Sequence, residues 1–241
     1  MDLLAFLAKM QSDGRLLSVV VPMYNEEHTV GNIINRLKSV LEGTGFRYEI
    51  LVVDDFSRDR SNEIAKAQGV KVYRLNRHMG KGYALRAGFA KANGDLIATI
   101  DSDGSHLPEE LPLLLLPITQ GRADLVIGSR FLNNGEGTTK KINKIGNRLF
   151  NRLIQLLTGR KISDSQSGYR VMSKQVLQSV RLKSVEYEIE SEMLVKATRK
   201  RFRVTEIPIS YEMRTYGRSG IDPLYDGLKI LLSILTAFVG S

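Results

Sequence analysis

Five short runs in the first 130 residues are apolar along most of their length, and this feature limits the fold more than any other. They lie at 17–22, 48–54, 70–75, 96–101 and 125–129. Between them, apolar residues recur at helical spacing, most clearly at Val30, Ile33, Ile34, Leu37, Val40 and Leu41. Segments 59–68 and 80–93 also read as helices. Pro108 suits the first turn of another, with Glu109 and Glu110 at its positive end. Strands that are apolar on both faces must be covered on both faces. Their alternation with helices predicts a Rossmann-like, mostly parallel α/β sheet with helices on each side. In such a sheet ligands bind beyond the carboxyl ends of the strands.

The second half has a different texture. Ile145, Leu149, Phe150, Leu153, Ile154, Leu156 and Leu157 form an apolar helical face, beside a basic stripe of Lys141, Lys144, Arg148 and Arg152. A helix over 188–200, a strand over 202–211 and an amphipathic, then apolar, stretch over 224–239 follow. Charge divides in the same way. Residues 1–120 balance at −1 (14 Lys/Arg, 15 Asp/Glu), and residues 121–241 at +10 (21 and 11). From Lys140 to Lys161 there are seven basic residues and no acidic one. An anionic partner should therefore meet the second half. No nucleic-acid motif accompanies the charge, so the expected partner is not nucleic acid. The absence of cysteine excludes disulfides, thiolate metal sites and cysteine nucleophiles. No apolar run reaches the ~18–20 residues that span a bilayer, and the N-terminus does not read as a signal peptide.

Chemistry-bearing residues cluster where strands end. Asp101 and Asp103 follow the fourth run; two carboxylates two residues apart can project to one side. Such a pair suits Mg²⁺ or Mn²⁺ bridging a diphosphate, and equally a polar turn. Asp54 and Asp55, in VVDDFSRD, follow the second run; a carboxylate there can accept from a nucleobase or ribose, or cap the next helix. Glu26 and Glu27, in VPMYNEE, follow the first. GKGYALRAG, at 80–88, is a glycine-rich helix entry where backbone and Lys81 could approach a phosphate. It is not a Walker motif, and no GxGxxG follows the first strand, which argues against dinucleotide redox chemistry.

In the order VPMYNEE, VVDDFSRD, GKGYALRAG, DSDGSH, GSRF, SDSQSGYR, these motifs resemble family 2 of the glycosyltransferases, from about 17 to 219. Within it the nearest likeness is to polyprenyl-phosphate sugar synthases. The resemblance implies a GT-A fold: a catalytic domain over 16–219, after an N-terminal amphipathic segment (1–15) and before an apolar membrane-proximal helix (220–241). It implies transfer of a sugar, with inversion, from a nucleotide diphosphate sugar (GDP-mannose or a UDP-hexose) to a polyprenyl or dolichyl phosphate on the cytoplasmic face of a membrane. By resemblance, Pro22, Tyr24, Glu26, Asp54, Asp55, Lys81, Asp101, Ser102, Asp103 and Arg214 bind the donor. Asp101, Asp103 and Ser105 hold the metal; Ser105 stands where the family often has glutamine, and His106 could complete the shell or be a surface loop residue. Arg130, Lys144 and Arg148 handle the acceptor phosphate, although Arg130 also suits a plain salt bridge. Asp164, Ser167 and Gly168 line the site or form turns. Asp103, Arg130 and Arg214 are the expected catalytic set, and Arg218 could replace a family lysine missing at Gly220.

An acceptor phosphate is already anionic and needs no base, whereas a saccharide hydroxyl does. Glu192 could be that base if the acceptor is a hydroxyl, as in surface polysaccharide synthesis, or could sit on an exposed helix face. The basic, apolar helix over 141–157 suits an anionic bilayer surface or a core helix with a solvated edge. The 224–239 stretch could lie in the interface, dock on the domain, or lead into a membrane anchor.

Overall fold

The structure is a computed structural model that describes residues 14–132, 141–212, 214, 216 and 222–240, the side chains of 141–144 excepted. Seven strands form one sheet: β1 (Leu16–Met23), β2 (Arg47–Asp54), β3 (Lys71–Arg74), β4 (Leu96–Thr99), β5 (Leu125–Ser129), β6 (Arg170–Ser173) and β7 (Val204–Pro208), in the order β3-β2-β1-β4-β6-β5-β7. All pairings are parallel except those of β6, which runs antiparallel to β4 and β5. The helices are α1 (Val30–Glu42), α2 (Ser61–Ala67), α3 (Lys81–Lys91), α4 (Leu111–Thr119, after a short 3-10 turn), α5 (Lys141–Thr158), α6 (Lys174–Ser179), α7 (Ile189–Arg199) and α8 (Tyr225–Val239).

The pleat of β1 divides its side chains between two cores. Leu17, Val19 and Val21 join a cluster with α1, α4 and Ala65 of α2. Val20 joins the opposite cluster with α3, α5, α7 and α8. Every residue of β1 beyond Leu16 is buried, as the two-sided covering requires. The first-half strands thus form where the apolar runs lie, the third and fourth being the shortest at four residues each.

Two elements were not anticipated from the sequence. β6 is only four residues long and opens with Arg170, which breaks the apolar pattern by which a buried strand is read. Arg170 is 1% exposed, and its guanidinium donates to the carbonyls of Ser167, Ser165 and Glu190 (2.8, 2.8 and 2.6 Å). Burial lowers its pKa to about 10. Immediately after β6, α6 forms from Lys174 to Ser179, too short for a period to be visible. The C-terminal stretch docks on the domain: α8 packs against α7 and α5, burying Ile230, Ile234 and Ala237. The 1–13 portion of the expected N-terminal segment lies outside the described residues, as do 217–221, which include Arg218 and Gly220, and the side chains of Lys141 and Lys144.

Candidate active site

The crevice at the carboxyl end of β4 lies where strand order turns from β1 toward β6, the position at which open α/β sheets bind ligands. Asp101 emerges there and pairs with Lys81 Nζ at 2.7 Å. Lys81 begins α3, and its other partner is Glu190 of α7 at 2.9 Å. Burial would raise the Asp101 pKa, but Lys81, His106 and Arg130 together hold it below the ordinary carboxylate range. The same two carboxylates raise the Lys81 pKa against its burial. Gly168 permits this packing: a Cβ there would stand 2.6 Å from Asp101 Oδ2 and 2.9 Å from Lys81 Nζ.

Ser102 turns away from the crevice, its hydroxyl donating to the Pro22 carbonyl at 2.8 Å. Thr29 returns a bond to the Ser102 carbonyl at 2.7 Å, so the β1 and β4 exit loops are stitched together. Asp103 is half-buried at the crevice. Its Oδ1 accepts from the Ser105 backbone N–H (3.0 Å) and hydroxyl (2.6 Å). Among the described residues, nothing donates to its Oδ2. Ser105 is 1% exposed, and its hydroxyl orients Asp103. His106 is also 1% exposed, so the surface-loop alternative does not hold. Its ring meets Tyr169 and Tyr211 edge-on, both at 5.5 Å between centroids. Burial pushes its pKa down, and Nε2 has no hydrogen-bond partner among the described residues.

Glu26 completes the acidic side. It is 8% exposed and contacts the Arg214 guanidinium, whose Nε donates to the Tyr216 carbonyl at 2.7 Å. Burial raises the Glu26 pKa to about 7; Asp103 and Asp101 add to the rise and Arg214 opposes it. Burial is thus the main cause of the rise, and the two neighbouring aspartates add a smaller part. No three acidic or histidine side chains among the described residues converge as a ready metal cage. The open Asp103 oxygen, with the Asp101 and Glu26 carboxyls near by, nonetheless fits Mg²⁺ or Mn²⁺, hard cations often held by one or two carboxylates plus substrate phosphates.

The cationic side faces it. Arg130, at the end of β5, binds Asp164 bidentately (2.7 and 2.8 Å) and donates its backbone N–H to the same carboxylate at 3.1 Å. Its guanidinium also lies over the Tyr211 ring, 5.2 Å from the centroid. The salt-bridge alternative therefore describes its resting contacts, and the 15% exposure of its side chain is the part a ligand can reach. Asp164 is further held by Asn147 of α5 at 3.1 Å, a contact that sequence reading missed because Asn147 sits on a helix otherwise read for its apolar and basic faces. Arg148, one residue on, is exposed.

At the end of β2, Asp54 is 0% exposed; its oxygens accept from the Ser57 N–H and the Asn62 amide, both at 2.8 Å. In this arrangement it fixes the turn into α2. Asp55 is 2% exposed and accepts from the N–H groups of Met79 (2.7 Å) and Gly80 (2.8 Å). It also holds His78 at 2.8 Å, and the His78 ring stacks on Tyr24 with centroids 4.1 Å apart. Glu192 is not on an exposed face: it is 4% exposed and bound by Lys196 and the N–H groups of Lys183 and Ser184. Glu190, two residues earlier, is the α7 carboxylate that reaches the crevice. Alternate residues of a helix point in different directions, and spacing from the site motifs did not distinguish these two.

Solved structures share this architecture. Glucosyl-3-phosphoglycerate synthase from Mycobacterium tuberculosis, in complex with Mn²⁺, UDP and phosphoglyceric acid, aligns with a TM-score of 0.78 at 22% identity, over 96% of this chain and 82% of that one. The likeness is one of fold, and the fold is GT-A. The family model described as Glycosyl transferase family 2 matches residues 18–181, and the chain belongs to that family. Among curated relatives it is similar to a dolichol-phosphate mannosyltransferase of Pyrococcus furiosus, 34% identical over 84% of this chain, and spans 58% of that protein's length. It is also similar to a UDP-N-acetylglucosamine–dolichyl-phosphate N-acetylglucosaminyltransferase of Methanococcus voltae, 29% identical over 94% of this chain and 97% of the relative. A Methanocaldococcus jannaschii protein described as uncharacterized is 34% identical over 90% of each chain.

Proposed function

We propose that this glycosyltransferase moves a sugar from a nucleotide diphosphate sugar, GDP-mannose or a UDP-hexose, to a polyprenyl or dolichyl phosphate at the cytoplasmic face of a membrane. The observation that carries the reading is the polarity of the crevice. Asp103, Asp101 and Glu26 stand on one side, and Arg130, locked by Asp164, on the other. A donor diphosphate fits the first side through a divalent cation. An acceptor phosphate fits the second, because a planar guanidinium held from behind presents its remaining N–H groups to oxygen.

The reaction is an in-line displacement with inversion. An acceptor phosphate oxygen attacks the anomeric carbon as the bond from that carbon to the diphosphate breaks. Arg130 holds the nucleophile, with Lys144 and Arg148 on the first turns of α5 as its approach. Arg214, at the acidic edge, neutralises the leaving group. A divalent cation bound at Asp103 would supply further charge stabilisation to the departing diphosphate. The hydroxyl-acceptor alternative drew on Glu192 as base, and that carboxylate is taken up by Lys196 and two backbone N–H groups.

Membrane contact is proposed through α5 and α8, which pack together within the catalytic domain (16–219) and its C-terminal extension (220–241). Leu149 and Leu156 of α5 (59% and 82% exposed) and Leu228 and Leu232 of α8 (57% and 53%) leave apolar surface uncovered, flanked by exposed Arg148 and Arg152. No described helix is long and apolar enough to cross a membrane. An apolar face with a basic rim suits the surface of an anionic bilayer, where the lipid acceptor resides.

The test is product analysis with polyprenyl phosphate against oligosaccharide acceptors, using UDP- and GDP-sugars with Mn²⁺. Glycosylated lipid phosphate is the expected product; transfer only to oligosaccharide overturns the acceptor assignment. Asp103→Asn should abolish turnover and the Mn²⁺-dependent part of donor binding. Full activity in that variant would refute the role given to Asp103.

A further inference from the structure

Two non-glycine residues near the nucleoside side of the crevice have left-handed backbone: Asn25 (φ 54°) and Phe56 (φ 69°). Asparagine adopts this conformation at modest cost, but for a bulky side chain it is an outlier. Burial does not offset the cost, since Phe56 is 37% exposed. The turn itself explains the backbone. Asn25 N–H donates to Ser57 Oγ at 2.9 Å, Arg58 N–H to Asn25 Oδ1 at 2.8 Å, and Ser57 N–H to Asp54 Oδ1 at 2.8 Å. Glycine at 56 would satisfy that turn without strain. It is therefore the phenyl ring that requires an explanation.

The ring is held from one side. The Arg74 guanidinium lies over it, 5.2 Å from the centroid, and is itself fixed by the Ser57 carbonyl at 2.7 Å and by Asp54 at 3.4 Å. The preceding residue, Asp55, anchors His78 against Tyr24. An exposed, strained and braced aromatic thus follows the carboxyl end of β2, next to a second aromatic pair. Strain of this kind gathers where a ligand is gripped.

We infer that Phe56 is a stacking platform for the planar base of the donor's nucleoside diphosphate. The inference rests on the nucleotide-sugar reading above and adds a residue that grips the base. Every base has a π-face, so the platform supplies affinity and does not choose between uracil and guanine.

Calorimetric titration of the full chain with UDP, GDP and, separately, inorganic diphosphate, each with Mg²⁺, tests it. Base–aromatic stacking predicts that Phe56→Gly weakens nucleotide binding by about 5- to 150-fold. Affinity for base-free diphosphate should be unchanged. The variant should melt at or above the wild-type temperature, because the backbone strain is gone. Phe56→Asn, which also tolerates the turn, should behave in the same way, and Phe56→Trp should retain nucleotide affinity. Unchanged nucleotide affinity in both small variants overturns the platform, as does an equal loss for diphosphate or a fall in melting temperature that accounts for the loss. If the wild-type chain binds neither UDP nor GDP, the donor reading falls together with the platform. Wild-type binding that survives Phe56→Gly overturns the platform alone.

Discussion

Gly168 shows how little room the crevice leaves. A methyl group there would press on Asp101 Oδ2 and Lys81 Nζ together. Gly168→Ala should therefore lower turnover at least tenfold while costing about 1–3 kcal/mol of stability, the usual penalty for overpacking; kcat and a denaturant melt would separate the two effects. Glu26 offers a pH signature. Its pKa in the folded, ligand-free chain is about 7 against an ordinary 4.5, so folding takes up a proton between those values. The sign follows from linkage: stability is highest below pH 4.5 as far as this group is concerned, and falls as pH rises to 7. The loss is at most about 3.5 kcal/mol, because 1 pKa unit is worth about 1.4 kcal/mol. A carboxyl ¹³C titration should find the midpoint near 7, and Asp103→Asn should move it downward by removing a repulsive neighbour. A midpoint that ignores Asp103 would contradict the crowding described here. The paired aspartates, Arg130 and Lys81 could be picked out from the sequence, because each stands beside a strand end in a motif. Glu190 and Asn147 could not, since their relevance arises only when α7 and α5 fold against residues distant in the chain.

At the scale of elements, α8 has two unlike faces. Ile234 is 0% exposed, and Ile234→Ala should cost about 2–5 kcal/mol by leaving a cavity. Leu232→Glu, on the outer face, should leave the melting temperature within a few degrees. Paired with Leu156→Glu on α5, it should remove flotation with anionic vesicles. Retained flotation in that double variant would count against the membrane face. Both helices are legible from their apolar spacing, but spacing alone cannot tell a core face from a lipid face. α8 shows both, Ile230, Ile234 and Ala237 inward and Leu228, Leu232 and Leu235 outward. β6 was hidden for a different reason. Its stability comes from ladder bonds on both edges and from an arginine satisfied by three carbonyls, neither of which leaves a hydrophobic period.

For the molecule as a whole, the apolar runs of the first half predicted the parallel core because two-sided burial leaves few other sequences possible. The unequal charge of the two halves is the ground for expecting an anionic partner at the second half, which carries Arg130, Arg148 and Arg152. What stayed illegible was how the halves interlock. Removing residues 225–240 would strip the cover from the α5–α7 side of the core, so truncation should cause aggregation rather than a clean loss of membrane contact. Light scattering and a thermal melt of the shortened chain would check this; a monodisperse, equally stable product would mean that α8 is dispensable to the fold.

The reversed direction of β6 has an engineering consequence. Because Arg170 pairs beside Thr99 at the catalytic edge, the chain from Asp164 to Gly168 descends into the crevice and then zips between β4 and β5. Asp101, just beyond β4, and the Arg130–Asp164 pair are thus joined through adjoining rungs of one ladder. A chimera that borrows the 130–173 stretch of a relative should take it whole, since a junction inside 164–173 would part Asp164, which holds Arg130, from the strand that seats it between β4 and β5.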